Sequence, residues 1–322
     1  MRRVCIIGCG AIGSLYAAHL ARVAEVWVLV RRKEHAEALN RDGLRVSGTH
    51  DFTATLRATD DPADLPDFDL GIVATKATQV RDSVAAAGRR FDWGALISAQ
   101  NGLGSEEILA ECTRGHVIRG TTFMSGTRHS DTHVQYELNT ATWLGPFEPQ
   151  GTPFVVVEDA ADLLVQSGLK AEALKDARPA QWSKLIFNAS VNGVSALTGL
   201  PHSPHFAAEA EFSDLGHLLH ALIEEGKKVA AAAGIELHED PWAMNKIGAM
   251  TNHPPSMLSD VRHQSPTEVD FLSGAIAREA VRAHVEAPLH TAIYRLIKGK
   301  EAGWTFQDEN RPVVAHENAG AH

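Results

Sequence analysis

Lys184, Asn188 and Asn192 recur at every fourth position inside a long apolar run. At roughly 100° per residue, that spacing stacks the three side chains in one narrow stripe along a helix. Their neighbours Trp182, Leu185, Ile186, Phe187, Val191 and Val194 are apolar. Most of such a helix is buried, so the stripe should face a cleft. The alternative is the solvated face of an amphipathic helix. Asparagine is a poor residue for a merely solvated helix face, which favours the cleft. A lysine in that cleft could stabilise and protonate the oxygen of a ketone as hydride arrives at its carbon. Desolvation would lower its pKa, and a nearby carboxylate would oppose that shift.

Downstream, Ser265-Pro266-Thr267-Glu268 has the form of a capping box with proline at the first helical position. On the residues alone, Glu268 reads first as a group that reaches back to a backbone N–H. Ser256 follows Pro254-Pro255, and it too could be only a helix cap.

A second constellation opens the chain. Gly8-x-Gly10-x-x-Gly13, with Ala11 and Ile12 between, follows an apolar strand and starts a helical pattern. Gly8 permits a tight turn, Gly10 lets the backbone approach a pyrophosphate, and Gly13 allows close packing of helix on sheet. The helix N-terminus then presents unpaired N–H groups to phosphate. A glycine-rich turn without a ligand is the alternative.

The next strand ends in Arg31-Arg32, where NAD-preferring sites carry an acid. Guanidinium groups suit a 2′-phosphate, so the spacing predicts NADP(H), with Arg31 the better candidate. Lys76 and Asn101 stand at two further strand ends, where open α/β sheets bind ligands. Lys76 could touch cofactor ribose or substrate. Asn101 could bond the nicotinamide ribose or a carboxylate, or Asn101-Gly102 could be a plain turn.

These residues need a frame. Apolar runs at 4–7, 26–30, 70–74, 96–99 and 117–118 alternate with helical patterns, as in a parallel sheet covered on both faces. Residues 44–46 and 52–56 alternate like a hairpin. The stretch 121–144 is polar and reads as antiparallel ribbon, and 155–164 reads as helix. From about residue 179 long helical patterns dominate, at 181–197, 209–233, 267–284 and 289–297. The reading is a doubly wound, mainly parallel Rossmann-type α/β domain over 1–177, followed by an all-α domain over 178–322 with a polar tail from about 307.

Composition narrows the function classes. The chain has 322 residues, more than one core usually holds. A net charge of −10 disfavours nucleic-acid binding, though a local cationic pocket can still hold an anion. Three cysteines, Cys5, Cys9 and Cys112, are read as reduced thiols, and the histidines show no metal-binding pattern. Arg22 and Glu25 follow too soon for a secretory signal, and no apolar stretch is long enough to span a membrane. A cytoplasmic protein without metal is expected, either monomer or homodimer.

The pieces GCGAIG, TKA at Lys76, QNG around Asn101, KLIFNASVN from Lys184, PSMLSD around Ser256 and PTEVD around Glu268 together resemble the ketopantoate reductase (2-dehydropantoate 2-reductase) family over nearly the whole length. The resemblance implies NADPH-dependent reduction of ketopantoate. It implies that Lys184 is the general acid and that Glu268 holds the substrate hydroxyl and orients Lys184. Asn101 and Ser256 would bind the carboxylate end, Asn188 and Asn192 would line the pocket, and Arg31, Lys76 and Gln79 would belong to the NADPH site. Asp260 fits the pattern as a structural residue.

Gln264-Ser265, Ser273-Gly274 and the glycine-poor stretch 123–143 depart from the pattern near the substrate side. They leave open another small 2-oxo acid. A non-catalytic NADPH sensor is a second alternative, but it gives Lys184 and Glu268 no joint task. A dehydrogenase with a catalytic histidine is a third, but His202 and His205 lie in a proline-rich loop unsuited to rigid placement.

Overall fold

The computed structural model describes residues 2–208, 213–250 and 254–309. Its first part runs β1 (Arg3–Ile7), α1 (Ala11–Leu20), β2 (Glu25–Leu29), α2 (Lys33–Asp42), β3 (Leu44–Gly48), β4 (Phe52–Ala54), β5 (Arg57–Thr59), β6 (Leu70–Val73) and α3 (Val80–Ala85). It continues with β7 (Ala95–Ser98), α4 (Ser105–Cys112), β8 (His116–Thr122), β9 (Ser125–Ser130), β10 (His133–Leu138), β11 (Thr142–Pro146), α5 (Phe154–Gln166) and β12 (Ala171–Ala173). The rest is helical: α6 (Arg178–Thr198), α7 (Asp214–Ala232), α8 (Pro241–Ala249), α9 (Ser256–Arg262), α10 (Ser273–Arg282) and α11 (Pro288–Glu309).

The main sheet has the order β12-β11-β8-β7-β6-β1-β2-β5 and is parallel except where β11 runs against β8. Successive side chains of a strand point to opposite faces. Val4 and Ile6 therefore enter one core with Leu15, Leu39 and Val157, while Cys5 and Ile7 enter another with Val80, Val84 and Leu109. Burial on both faces explains why β1 is apolar without alternation.

The hairpin expected at residues 44–56 forms as β3–β4, and the expected ribbon forms as β9–β10. Sequence periodicity did not show that the two join. They make a second sheet, β4-β3-β10-β9, through parallel pairing of β3 with β10. This sheet lies against α1, where the buried His19 ring meets Phe52 and Tyr136 edge-on at 5.1 and 5.4 Å.

In the helical part, α6 is central. Leu185, Ile186, Val191 and Val194 share a core with Leu222 and Ile223 of α7, Met257 of α9, Ile276 of α10 and Ile293 of α11. Two expectations change here. The helix expected at 267–284 begins only at Ser273, because residues 268–272 form a turn. Helix α11 runs on to Glu309, past the expected end at 297 and into the stretch read as a polar tail. The expected helix start at 209 falls on residues outside those described, and α7 is described from Asp214. Helix α8 was not foreseen, and α9 only as the helix that Ser256 could cap.

Candidate active site

Parallel strands bring their C-terminal ends to one edge of the sheet, so the turns after β1, β2, β6 and β7 gather there. Gly8 has φ +94°, and a Cβ there would lie 2.6 Å from the Thr75 methyl group. A Cβ on Gly13 would lie 1.9 Å from the Gly8 carbonyl oxygen, so Gly13 serves the packing of α1 on the turn. Around Gly10 the space is open. Ala11, Ile12 and Gly13 form the first turn of α1, whose leading N–H groups lack acceptors within the helix.

Above this turn lies a cavity of about 790 Å³, lined by Gly8, Gly10, Arg31, Arg32, Lys76 and Gln79 among others. Ala11, Ile12 and Gly13 bound the turn without lining the cavity itself. The volume suits a dinucleotide-sized ligand. The Thr75 hydroxyl, also at the cavity, is buried without a hydrogen-bond partner, as expected of a group that waits for a ligand.

The two arginines after β2 differ. Arg32 donates to Asp131 Oδ1 at 2.6 Å, and Arg128 donates to the same oxygen at 3.0 Å. Burial raises the Asp131 pKa, but the Arg32 hydrogen bond and the surrounding cations outweigh it and hold the carboxyl below its usual value. Arg31 is exposed and lines the cavity. Arg128, on β9, lines it too and was not singled out from the sequence. Only the second sheet, whose strands lie far apart in the chain, brings it there.

The stripe on α6 faces the same edge. The Lys184 amine, half-buried, donates to the Thr122 carbonyl at the end of β8 at 2.5 Å. Burial pulls its pKa down to about 8, and the charge of Glu268 opposes that pull. Asn188 Nδ2 donates to Asn101 Oδ1 at 3.3 Å. Asn192 Oδ1 accepts from Ser256 Oγ at 3.4 Å and from the Met257 N–H at 3.3 Å. Ser256 is the first residue of α9 and faces this stripe, so the simple cap reading does not hold.

Glu268 makes no capping box, because no helix starts at 267. Its Oε1 accepts the Ala77 N–H at 2.8 Å, and Asn101 also hydrogen-bonds its carboxylate. Burial raises its pKa, against the lowering effect of those bonds and of Lys76. Lys76 pairs with the buried Asp260 of α9. Gln100 Nε2 donates to the carbonyls of Val73 and Thr75 at 2.7 and 3.1 Å and so fixes the turn that carries Thr75 and Lys76. Gly102, with φ +91°, lets this edge approach the 268–272 turn, since a Cβ there would lie 2.1 Å from the Phe271 carbonyl oxygen.

Lys184, Asn188, Asn192, Asn101, Ser256 and Glu268 thus meet at one junction, and Gly8, Gly10, Arg31, Lys76 and Gln79 line the neighbouring cavity. An ammonium group whose pKa is drawn down to about 8, with a carboxyl nearby, can donate a proton to a carbonyl oxygen.

Comparison with known proteins finds relatives along nearly the whole chain. Residues 4–149 match the family model described as ketopantoate reductase PanE/ApbA, and residues 176–301 match its C-terminal companion. The chain is 31% identical over 309 residues to the 2-dehydropantoate 2-reductase of Archaeoglobus fulgidus, covering 94% of this chain and 99% of that one. It is 29% identical to the enzyme of the same name from Pyrococcus abyssi, covering 93% and 98%. A crystal structure of a PanE/ApbA family ketopantoate reductase from Ralstonia eutropha superposes with a TM-score of 0.82 at 24% identity, covering 94% and 99%. D-mandelate dehydrogenase with NADH and anilino(oxo)acetate superposes with a TM-score of 0.82 at 22% identity and the same coverage. No helix among the described residues is long and apolar enough to cross a membrane.

Proposed function

Because the chain belongs to the ketopantoate reductase family, we propose that it reduces ketopantoate to pantoate with NADPH, using Lys184 as the general acid. Membership makes it an oxidoreductase acting on a CH–OH group, with a nicotinamide cofactor. The cofactor supplies the hydride. Everything else is done by this chain's own groups.

The observation that carries the reading is the Lys184 amine, held at the sheet edge by the Thr122 carbonyl and drawn toward a pKa of about 8. An acid with a pKa near the working pH is protonated enough to donate, gives up its proton at low cost and regains one from solvent before the next turnover. As negative charge grows on the keto oxygen, the ammonium stabilises it and then releases its proton to it. Glu268, tied to Ala77 and Asn101, keeps charge beside the amine and offers an acceptor to a substrate hydroxyl. Asn101 and Ser256 take the carboxylate end, and Asn188 and Asn192 line the pocket. Ala11, Ile12 and Gly13 would offer first-turn N–H groups to the cofactor's pyrophosphate, for which the open space at Gly10 leaves room. Arg31, Lys76 and Gln79 would belong to the NADPH site, with Arg31 toward the 2′-phosphate. The nucleotide part is residues 1–177 and the catalytic part 178–322.

The test is oxidation of NADPH, and in parallel of NADH, by purified protein with ketopantoate. NADPH should be consumed with ketopantoate and preferred to NADH. No consumption at millimolar ketopantoate would overturn the substrate, and preference for NADH would overturn the role of Arg31.

A further inference from the structure

The strand and the helix that bring Lys184 to the site are tied together a second time, one step behind it. Thr122 ends β8 and holds the Lys184 amine by its carbonyl, and Phe123, the next residue, places its ring centroid 5.5 Å from Lys184 Nζ. Three residues back on β8, Arg119 Nη1 donates to Gln181 Oε1 at 3.2 Å, and Gln181 stands three residues before Lys184 on α6. Gln181 Nε2 donates to the Gly102 carbonyl at 3.2 Å and to Glu106 Oε1 of α4 at 2.7 Å. Arg119 has only donors, so the Gln181 oxygen must face it and the amide nitrogen must face the two acceptors. Arg119 is itself held. Its Nε and Nη2 donate to Glu148 Oε2 at 3.4 and 3.2 Å, and its guanidinium lies 4.9 Å from the Phe147 ring centroid.

Arg119, Gln181 and Glu106 are all buried. Buried polar side chains cost free energy that apolar ones of the same volume do not. What they supply is direction, since a hydrogen bond sets distance and angle where apolar packing only fills volume. Here the direction concerns the site. The Gly102 carbonyl belongs to the turn that carries Asn101, and Asn101 bonds both Asn188 of α6 and the Glu268 carboxylate. Gln181 therefore fixes the first turn of α6 against the end of β8 and against the Asn101 turn at once. None of the three buried residues lines the nucleotide cavity.

We propose that Gln181, held by Arg119, is a positioning residue for the reduction: it sets where the Lys184 ammonium stands relative to the Asn101 turn, and so to the ketone oxygen. The inference rests on the 2-oxo acid reductase reading. A misplacement of about 1 Å between reacting groups costs on the order of 10²-fold in rate. Without the tie, apolar packing alone holds the start of α6, and water reaches the amine from the β8 side. Lys184 then loses its angle toward the oxygen and part of the burial that lowers its pKa, while the opposing charge of Glu268 remains.

The experiment compares the wild type with Gln181→Met, which keeps length and burial and removes all three bonds of the amide. Two quantities are read: kcat at saturating ketopantoate and NADPH, and the Lys184 pKa by NMR of carbon-13 lysine-labelled protein, with Lys184→Ala used to assign the signal. Gln181→Met should lose about ten- to a hundred-fold in kcat and keep its Kd for NADPH within about three-fold. Its Lys184 pKa should rise by about a unit or more from about 8. A kcat within about three-fold of the wild type, or an unmoved pKa, would overturn the positioning role and leave a plain tie between the two parts, with the reductase reading intact. If Gln181→Met does not fold, Arg119→Met/Gln181→Leu, which removes the buried guanidinium together with its acceptor, is read in the same way. If the wild type reduces no 2-oxo acid, the reductase reading fails and the Lys184 pKa alone decides. A rise in Gln181→Met then supports Gln181 as the group that places the amine, and no change overturns it.

Discussion

Glu268 accepts the Ala77 N–H at 2.8 Å, although 191 positions separate them in the chain. With the Lys76–Asp260 pair and the Leu103 N–H to Phe271 carbonyl bond at 3.1 Å, it joins the strand-end turns to the helical part at the site itself. Glu268 therefore has two separable jobs, one of acceptance and one of charge. Glu268→Gln keeps an acceptor for Ala77 and removes the charge. It should fold with a Tm within a few degrees of the wild type, while kcat/KM falls by about 10²-fold, as for loss of a charged group that acts on the reacting centre. Steady-state kinetics beside a thermal melt decide it. A large drop in Tm with unchanged kinetics would make Glu268 purely a tie between the two parts.

Lys184 gives a sharper outcome. Lys184→Ala removes the proton donor but touches none of the residues lining the nucleotide cavity. Turnover should fall about 10²- to 10⁴-fold, the range of general acid catalysis. The Kd for NADPH, read by fluorescence titration, should stay within about three-fold. Removing a desolvated charge also removes its burial cost, which offsets the lost bond to the Thr122 carbonyl, so the Tm should change by only a few degrees. Near-normal turnover in this variant would remove Lys184 from the mechanism.

The acid must carry its proton to act. Burial draws the Lys184 pKa down to about 8 and Glu268 opposes this. The rate of oxo-acid reduction should therefore be level below about pH 8 and fall roughly ten-fold per unit above it. Without the Glu268 charge the amine loses the group that favours its ionised form, so in Glu268→Gln the falling limb should move to lower pH. A pH–kcat/KM profile of both proteins checks the direction. An alkaline limb that does not move would separate the limb from Lys184.

Local signals made much of this legible. The glycine spacing after β1, the absence of an acid after β2 and the four-residue rhythm of Lys184, Asn188 and Asn192 each depend on residues close in sequence, where geometry follows from one turn or one helix. Glu268 shows the limit. Its sequence surroundings satisfy a capping box, yet the helix starts at Ser273, and its true partner lies in the other part of the chain. Arg128 and Phe123 were invisible for a related reason. Each sits in a polar stretch without periodicity, and what matters is which sheet carries it: β9 turns Arg128 to the nucleotide cavity, and the end of β8 sets Phe123 beside Lys184.

Two histidines set an acid limit on the fold. His290 is fully buried, with Nε2 on the Leu222 carbonyl at 3.0 Å and Nδ1 without a partner. Burial pushes its pKa down to about 4, with the carbonyl opposing, and burial does the same to His19. The folded pKa lies below the unfolded one, so the unfolded chain takes up protons first as pH falls. Stability should be fully present above about pH 6.5 and decline from there toward pH 4, by up to a few kcal/mol per histidine. Urea melts at pH 7, 5.5 and 4.5 should show the decline. His290→Leu should flatten part of it, and an identical slope in that variant would assign the loss elsewhere.

Cofactor choice turns on which guanidinium is free to leave its place. Arg32 is committed to Asp131 at 2.6 Å, and Arg128 shares that oxygen at 3.0 Å. Arg31 stands exposed at the same cavity wall, where a 2′-phosphate would accept a bidentate pair. Arg31→Ala should weaken NADPH about ten- to a hundred-fold in KM and leave NADH nearly unchanged, because NADH has no phosphate to lose. Arg32→Ala should act less directly: Asp131, with one cation fewer, then draws Arg128 more strongly, and the NADPH KM should rise only a few-fold. KM ratios for both cofactors in the two variants decide between them. A larger effect from Arg32 than from Arg31 would mean that the phosphate displaces Asp131 from Arg32, and that the assignment of the 2′-phosphate belongs there.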